Sequence, residues 1–233
     1  MHTDCTNAGV NGESAYVYVC ATPDEQNVLY FAREKKGHEG VKGTVTEDFQ
    51  GILVHDHEIT FYKYGNAHQE CLAHIQRYLK DSMENEPSLT WHRKMRELIR
   101  EMVHYRNEHT DDAHLDPKIV SDFEGKYQEI LEKAKEEYIL HEPSPYYRDG
   151  YNLYLRMQKY KTQHLLFLHD MRVPTTNNTA ERCLRDYKRK QTFAMTFRSF
   201  ESIEELCQSK GVLLGVRKNN PNLYTAVKEI FNR

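Results

Sequence analysis

One stretch, residues 173–191, combines a break in regular structure with a strongly charged helix, and this limits how the neighbouring chain can fold. It runs V-P-T-T-N-N-T-A-E-R-C-L-R-D-Y-K-R-K-Q. Pro174 and the short polar residues after it predict a turn, since such residues interrupt helices and strands. Asn178 or Thr179 is the expected N-cap, and a helix is predicted from Ala180 onward.

This predicted helix carries an acid at its start and a cationic flank. Glu181 falls in the first turn, where the positive end of the helix dipole favours a carboxylate. The basic residues that follow are spaced to share one helical face. An ordinary solvated helix has the same pattern, but the paired asparagines Asn177 and Asn178 before the acid favour a functional site. The basic stripe consists of Arg182, Arg185, Lys188, Arg189 and Lys190.

Three short apolar or alternating segments predict strands ahead of this helix. Residues 16–20 and 28–32 alternate and are rich in β-branched and aromatic side chains, so they should pair as a hairpin around the turn at residues 22–27. Residues 51–55 predict a buried strand that ends at Asp56. A carboxylate at that end of a strand is where α/β proteins place chemistry, although a surface acid fits the pattern equally well. Residues 1–5, with Asp4, could form only the end of a very short strand.

Most of the remaining chain predicts helices. A highly charged block at residues 82–168 has apolar positions at helical spacing, and its third helix is expected at residues 147–164. Tyr147, Tyr151 and Tyr154 on that helix could stack on bases, but a stripe at this spacing usually belongs to a core. Two more helices are expected, at residues 202–214 and 223–231, with a turn at residues 219–221.

A further pair of residues has metal-ligand spacing. Cys71 and His74 form C-x-x-H, which is half of a structural zinc site. No second pair with matching spacing follows. The preferred interpretation is that Cys71 packs in the core, while His74 makes a local hydrogen bond or lies near the Asp56 site.

The charge distribution is uneven along the chain. The net charge of the whole chain is −3, but from Met171 onward 12 Lys and Arg residues stand against 6 Asp and Glu. A basic C-terminal quarter beside an acidic body is compatible with a local polyanion site. No apolar run approaches the roughly 20 residues that a membrane span needs. The five cysteines are scattered, which argues against a disulfide framework.

Several segments together give the chain a resemblance to a known family. The chain resembles the catalytic region of bacterial insertion-sequence transposases of the IS66 family, which are DDE transposases. The resemblance covers nearly the whole chain and is weakest in the helical block at residues 82–164. The segments that carry it are residues 173–185, residues 51–56 with Tyr62 downstream, the group Cys71, Ala73, His74 and Arg77, and the tail from Phe197.

The resemblance implies an α/β fold of the RNase H-like kind, a mixed sheet with a large α-helical insertion before the last catalytic helix. Carried over residue by residue, the catalytic and metal-binding carboxylates are Asp4, Asp56 and Glu181. Two Mg²⁺ or Mn²⁺ ions about 3.5–4 Å apart would clamp an in-line displacement at a DNA phosphodiester. The basic stripe would contact the DNA backbone, and Cys71, His74, Asn177 and Asn178 would support the active site.

The same resemblance implies DNA cleavage and strand transfer by a protein that acts on insertion-sequence ends and target DNA. Such a protein is expected to work as a homo-oligomer in the cytoplasm, associated with the nucleoid and not with a membrane. The implied division is a catalytic core at residues 1–80 and 169–200, an insertion at residues 81–168 and C-terminal helices at residues 201–233.

The chain departs from the family pattern in three places. Cys5 stands where an acid usually follows the first Asp, and Thr176 stands where an Asp usually precedes the paired asparagines. Neither is one of the three carboxylates, so altered tuning is expected and not a lost metal site. The upstream DNA-binding region of the family has no counterpart here, and the strand that carries Asp4 is expected to be nearly all missing, so a truncated chain is expected.

Two other functions remain open from the sequence. One is a catalytically inactive remnant that acts only as a nucleic-acid-binding or partner-binding helical protein. The other is a metallonuclease of the same fold that cuts without joining. Convergence of the three carboxylates would separate a catalyst from a binding module.

Overall fold

A β-hairpin at the start of the chain begins a five-stranded mixed sheet. The structure, a computed structural model, describes residues 1–194, 197–219 and 222–231. In the sheet, order β3-β2-β1-β4-β5, β1 is antiparallel to β2 and parallel to β4, and β2 is antiparallel to β3. The α/β class with a mixed sheet is therefore confirmed. The strands are β1 (His2–Val10), β2 (Glu13–Ala21), β3 (Val28–Arg33), β4 (Ile52–His55) and β5 (Ala67–Glu70).

The first strand is longer than the sequence led us to expect. β1 spans nine residues, with Asp4 near its start, and pairs with β2 along its whole length. Its turn is Asn11-Gly12, whose φ angles of 49° and 86° are both positive. Asn-Gly is the preferred pair for such a tight hairpin turn, because both residues tolerate positive φ at low cost. The expectation that the strand of Asp4 is nearly all missing was therefore wrong.

The chain divides into two compact units. Unit 1 comprises residues 1–67 and 177–233, and unit 2 comprises residues 68–176. Unit 1 contains α1 (His38–Val41), α2 (Val45–Asp48), a 3₁₀ helix (Ile59–Lys63), α8 (Asn178–Ala194), α9 (Phe200–Asn219) and α10 (Leu223–Phe231). The hairpin of β2 and β3 and the last two helices confirm the sequence predictions. The predicted turn at residues 219–221 lies largely outside the described residues.

One face of the sheet in unit 1 packs against α8 and α9. The helix α8 presents apolar side chains at positions i, i+3, i+4 and i+7, which form one stripe. Burying a side chain of the size of Leu184 stabilises the fold by roughly 1.5–3 kcal/mol. In this core the α8 side chains Ala180, Cys183, Leu184 and Tyr187 pack with Ala8, Ala15, Val17 and Val19 of the sheet and with Ile203 and Cys207 of α9.

The other face of the sheet has its own, smaller apolar cluster. Tyr18, Val41 and Phe61 are buried there, and Cys5 packs against them. Tyr18 and Phe61 meet edge to face with their ring centroids 6.3 Å apart, a favourable arrangement for two aromatic rings. Successive side chains of β1 therefore alternate between two different environments.

Unit 2 is built mainly from helices. Its helices are α3 (Leu72–Asn85), α4 (Trp91–Glu108), α5 (Pro117–Leu140), α6 (Asp149–Lys159) and α7 (Lys161–His169). The helix predicted at residues 147–164 is in fact two, α6 and α7, which meet at Tyr160. The tyrosine stripe belongs partly to the core, since Tyr154 is buried against Trp91. In the described part of the chain, each helix is too short or too polar to cross a bilayer.

Candidate metal centre

The parallel pairing of β1 with β4 gives Asp4 and Asp56 matching positions. His2 pairs with Val54, and each acid lies two residues further along its own chain segment. Because side chains alternate along a strand, Asp4 shares a face of β1 with His2 and Ala8. Ala8 lies in the core that contains α8. Asp4 is therefore on the face of β1 that α8 covers. β4 ends at His55, so Asp56 directly follows a buried strand, as the sequence predicts.

A buried asparagine attaches the beginning of α8 to β1. Asn177 is fully buried, and its amide nitrogen donates a hydrogen bond to the Thr3 carbonyl at 3.0 Å. Its amide oxygen lies 3.1 Å from Nδ1 of His2. The backbone carbonyl of Asn177 accepts from the amide of Glu181 at 3.1 Å. Asn177 is thus at the N-cap position, one residue earlier than predicted, and its side chain bonds to β1.

The arrangement of these hydrogen bonds determines the state of His2. Since the Asn177 amide nitrogen faces a carbonyl, its oxygen faces the ring, and Nδ1 of His2 must carry a proton to donate to it. Burial lowers the pKa of His2 to about 4, although the hydrogen bond with Asn177 opposes this shift. The ring is therefore neutral near pH 7. The hydrogen bonds that join Asn177 to Thr3 and His2 are therefore made between neutral groups.

Asp56 and Glu181 meet in unit 1. Each offers a carboxylate oxygen, and these ligand atoms lie within 4.8 Å of one another. Glu181 is in the first turn of α8, where the helix dipole stabilises its negative charge. Arg185 lies one turn further on, with its guanidinium 3.6 Å from the Glu181 carboxylate. Two acids far apart in sequence are thus close enough to approach one cation.

Asp4 and its neighbour Cys5 differ from this pair. Asp4 does not belong to the group of described residues whose ligand atoms come this close together. Its Oδ1 accepts a hydrogen bond from the Cys5 amide at 2.7 Å. Cys5 lies on the opposite face of β1. Burial raises the pKa of its thiol to about 12, so the thiol is protonated at neutral pH. Cys5 therefore supplies no anionic ligand in place of the acid that usually stands there.

Cys71 and His74 are in unit 2, at the start of α3. Cys71 precedes the helix and is buried, with 1% of its surface exposed, whereas His74 lies in the first turn. Their ligand atoms are within 4.8 Å of each other, as C-x-x-H spacing across the first helical turn allows. The ring of His74 also lies against Tyr78, at a centroid distance of 6.2 Å. The burial of Cys71 agrees with the preferred interpretation from the sequence.

The basic stripe of α8 is exposed but partly engaged within the protein. Arg182 forms an ion pair with Glu25, Arg185 lies beside Glu181, and the Lys188 ammonium donates to the Asn7 carbonyl. Burial lowers the pKa of Lys188. Arg189 and Lys190 are exposed. Asn178, the first residue of the helix, is also exposed.

Sequence reasoning missed His2 and misjudged how Asn177 works. A histidine next to the start of a chain gives no local signal, because its importance depends on a partner 175 residues away. The Asn11-Gly12 pair was a usable signal, since it predicts a tight hairpin and hence a full strand around Asp4. None of the five cysteines, which all lie in the described residues, forms a disulfide.

Comparison with known proteins gives one strong match. The family model described as "Transposase IS66 family" matches residues 1–204 of the 233 in the chain. No curated protein and no solved structure matches the chain. The family match supports a transposase role, and with it a DNA-cleaving activity in general. The chain belongs to the IS66 family of transposases.

Proposed function

We propose that this chain is a DDE transposase catalytic region of the RNase H-like kind, which cleaves DNA and transfers the cut strand with the help of divalent metal ions. The observation that carries the proposal is the meeting of Asp56 and Glu181 within 4.8 Å. A mixed sheet in which the strand of Asp4 lies beside the strand leading to Asp56 supports it further.

The residues present fit a divalent ion of the Mg²⁺ class. Carboxylate oxygens are its preferred protein ligands, and at a bond length of about 2.1 Å two ligands of one ion are at most about 4.2 Å apart. The ligand atoms of Asp56 and Glu181 lie within 4.8 Å of one another, which is compatible with a shared ion. In the proposed site these two residues hold the metal, and Asp4 joins them after a side-chain rotation away from the Cys5 amide.

The chemistry assigned to the bound metal is activation of a water or a 3′-hydroxyl and stabilisation of the leaving oxygen. The protein's own contribution is geometric. Asn177 fixes the first turn of α8 to β1 through Thr3 and His2, so Glu181 is held in register with the strands. A neutral anchor suits this task, because it adds no charge that would compete with the carboxylates for a cation.

The proposed DNA contacts are the basic residues of α8. Arg189 and Lys190 are available to phosphates directly, whereas Arg182, Arg185 and Lys188 would exchange an internal partner for a phosphate. The ion pairs of Arg182 and Arg185 are exposed on the arginine side and therefore weak, so their exchange costs little. Insertion-sequence ends and target DNA are the proposed substrates. The proposal includes a homo-oligomer, a cytoplasmic and nucleoid-associated location, and a supporting role for Cys71, His74 and Asn178.

The proposal also retains the functional division of the chain. Residues 1–80 and 169–200 form the catalytic core, residues 81–168 the insertion and residues 201–233 the C-terminal helices. In this division the Glu181 helix is separated from the first two acids by the helical insertion.

A cleavage assay on supercoiled and linear DNA tests the proposal. With Mg²⁺ or Mn²⁺ the full chain should nick or join DNA, and Asp56→Asn or Glu181→Gln should reduce the rate more than about 100-fold, since even outer-shell partners of a metal are worth 10–100-fold. The matched controls are the exposed acids Asp48 and Glu34, and Asp48→Asn and Glu34→Gln should leave the rate unchanged.

Metal binding provides a second readout that does not need the complete reaction. Mn²⁺ should raise the midpoint of thermal unfolding of the unaltered chain, because a ligand that binds only the folded state stabilises it. The shift should disappear in Asp56→Asn and Glu181→Gln and persist in the two controls. Cleavage and Mn²⁺ stabilisation that both survive in Asp56→Asn and Glu181→Gln would refute the assignment.

A further inference from the structure

A groove in unit 2 is lined by none of the carboxylates of the candidate metal centre, and one of its sides is basic. Helices α3 and α4 and the segment at residues 175–176 enclose a cavity of about 470 Å³, within the usual range for small-ligand sites. Its apolar side is Leu72, Ile99 and Val103, and its polar side includes Gln76, Arg96 and Arg100. Among the described residues that line it there is no Asp or Glu.

Arg96 is the unusual member of this lining. Its Nε is buried and has no hydrogen-bond partner in the described part of the chain, and neither Arg96 nor Arg100 forms an ion pair there. Two other arginines of the same unit hold partners within it: Arg156 binds the buried carboxylate of Glu70, and Arg106, whose Nε is also unpartnered among the described residues, donates through Nη2 to the carbonyls of Met171 and Val173. A buried donor without an acceptor costs roughly 1–3 kcal/mol, so Arg96 is poised for an acceptor from outside.

Gln76 adds a second unsatisfied atom on the same side. Its amide nitrogen donates to the Arg96 carbonyl at 2.9 Å, which orients the amide. Its Oε1 is buried and without a hydrogen-bond partner within residues 1–194, 197–219 and 222–231. The groove therefore offers guanidinium donors, one amide acceptor and an apolar wall. An anion with both an apolar part and a hydrogen-bond donor complements this set better than a simple inorganic ion.

Two guanidinium groups suit a phosphate, since the planar fork of arginine matches phosphate oxygens. Aliphatic side chains can cover a base or a sugar, and an amide oxygen can accept from a base amino or imino group. The last lining residue, Thr176, is five residues before Glu181 in the chain. Its backbone position is set by the neighbouring Thr175, whose carbonyl accepts from the Leu72 amide at 2.9 Å.

We propose that this groove binds a single nucleotide unit of the DNA substrate, with its phosphate on Arg96 and Arg100 and its base or sugar against Leu72, Ile99 and Val103. The inference rests on the proposed function only in taking DNA as the source of the nucleotide. It assigns a substrate-holding role to the helical unit, in addition to the basic stripe of α8.

The test measures the binding of a fluorescein-labelled (dT)₁₂ oligonucleotide to the full chain by fluorescence anisotropy, in EDTA and at several salt concentrations. The double variant Arg96→Gln with Arg100→Gln should bind at least about 10-fold more weakly. It should also reduce the slope of log Kd against log salt by about 1.4, since each phosphate contact on a single strand contributes about 0.7. Arg100→Gln alone, at an exposed position, should remove about half of that slope.

A matched control lies on the same unit. Lys94 and Lys133 line a different groove, together with Glu97, Glu101 and Glu129. The double variant Lys94→Gln with Lys133→Gln removes the same charge and should leave both affinity and slope unchanged. An equal loss in both double variants would mean that only net charge matters, and no loss in the arginine variants would place the DNA elsewhere. Either result overturns the proposal.

An abasic oligonucleotide of the same length separates a nucleotide site from a phosphate site. The unaltered chain should bind it more weakly than (dT)₁₂, and this preference should shrink in the arginine double variant. Equal binding of the two oligonucleotides would contradict the role given to the apolar wall. The assay contains EDTA and measures binding alone. A negative result would therefore refute the nucleotide site without bearing on cleavage at the carboxylates. Absence of cleavage would likewise leave the proposed nucleotide site unaffected.

Discussion

Two glutamates, one in each compact unit, are held in opposite ways. Glu70, in unit 2, has no exposed side-chain surface and receives hydrogen bonds from the Arg156 guanidinium, with Nε at 3.0 Å. Nε2 of His164 is 3.4 Å from the same carboxylate, and Tyr127 lies 2.8 Å from the other ring nitrogen of that histidine. Glu181, in unit 1, keeps 20% of its side chain exposed, and the Arg185 guanidinium lies 3.6 Å from its carboxylate.

The two settings separate an acid that stabilises the fold from an acid that remains partly exposed. A buried carboxylate stays ionised at low cost only where a positive charge and hydrogen bonds compensate its desolvation. Glu70 is matched in this way and cannot bind an ion without breaking its network. Glu181 follows the neutral anchor Asn177 and is partly exposed, so in the proposed site it is accessible to a metal.

The largest effect is expected when Glu70, the acid paired with Arg156, is altered. Glu70→Gln should lower the free energy of unfolding by about 3–5 kcal/mol, because it leaves Arg156 buried without its anion. Urea denaturation followed by the fluorescence of Trp91 measures this directly, since Trp91 is the one tryptophan of the chain and is buried in unit 2. Glu181→Gln should change the free energy of unfolding of unit 1, followed by hydrogen exchange of the β1 amides, by less than about 1 kcal/mol. A destabilisation of similar size in both variants would end the contrast.

The second effect concerns pH and compares one buried histidine from each unit. Burial lowers the pKa of both His2 and His92 to about 4, against an ordinary value of 6.5. The unfolded chain takes up these protons first, so each contribution to stability is complete above pH 6.5 and is lost as pH falls towards 4. Each histidine should account for about 3 kcal/mol over this window, at about 1.4 kcal/mol per pH unit.

Two probes separate the units in this acid titration. Trp91, whose ring centroid is 5.3 Å from that of His92, follows unit 2, and hydrogen exchange of the β1 amides follows unit 1. His2→Gln keeps a donor for Asn177 but cannot titrate, so exchange in β1 should become less sensitive to acid. His104→Gln is the control because His104 is exposed. An unchanged acid response of β1 in His2→Gln would show that the pKa of His2 does not differ between the folded and the unfolded chain.

The third effect tests the neutral anchor with two adjacent asparagines. Asn177→Ala should destabilise unit 1 by about 2 kcal/mol, since the Thr3 carbonyl and the His2 ring would lose a partner inside the fold. Asn178→Ala, at an exposed position, should stay within about 0.5 kcal/mol. Chemical denaturation followed by circular dichroism measures both. Equal effects would mean that Asn177 does not hold α8 on β1.

The smallest effect is expected at a surface ion pair. Arg182 and Glu25 pair on unit 1 with 64% and 27% of their side chains exposed. A double-mutant cycle with Arg182→Ala and Glu25→Ala should give a coupling below about 1 kcal/mol. A coupling of about 3–5 kcal/mol, the size of the loss expected for Glu70→Gln, would show that exposure does not decide the strength of these ion pairs.

Local sequence patterns predicted much of the fold. Alternation predicted β2 and β3, the apolar run before Asp56 predicted β4, and Pro117 marked the first residue of α5. The full length of β1 was missed because its polar residues, such as Asn7, hide the alternation. The break at Tyr160 was missed because tyrosine is compatible with a continuous helix, and only tertiary packing separates α6 from α7.

The site could be predicted only in part, for a physical reason. Asp56 and Glu181 each follow a local signal, a strand end and a helix start, but their proximity depends on the connection of α8 to β1. That connection uses His2, Thr3 and Asn177, whose hydrogen bonds span more than 170 residues. Single-sequence patterns describe neighbours within a few residues and carry no information about such contacts.

The most direct test of the carboxylate site is anomalous diffraction from crystals of the full chain soaked in Mn²⁺. The account predicts a Mn²⁺ peak bonded to carboxylate oxygens of both Asp56 and Glu181, with Asp4 turned towards it. Crystals in which Mn²⁺ binds only at other residues, or in which the side chains of Asp56 and Glu181 point into separate regions, would contradict the account.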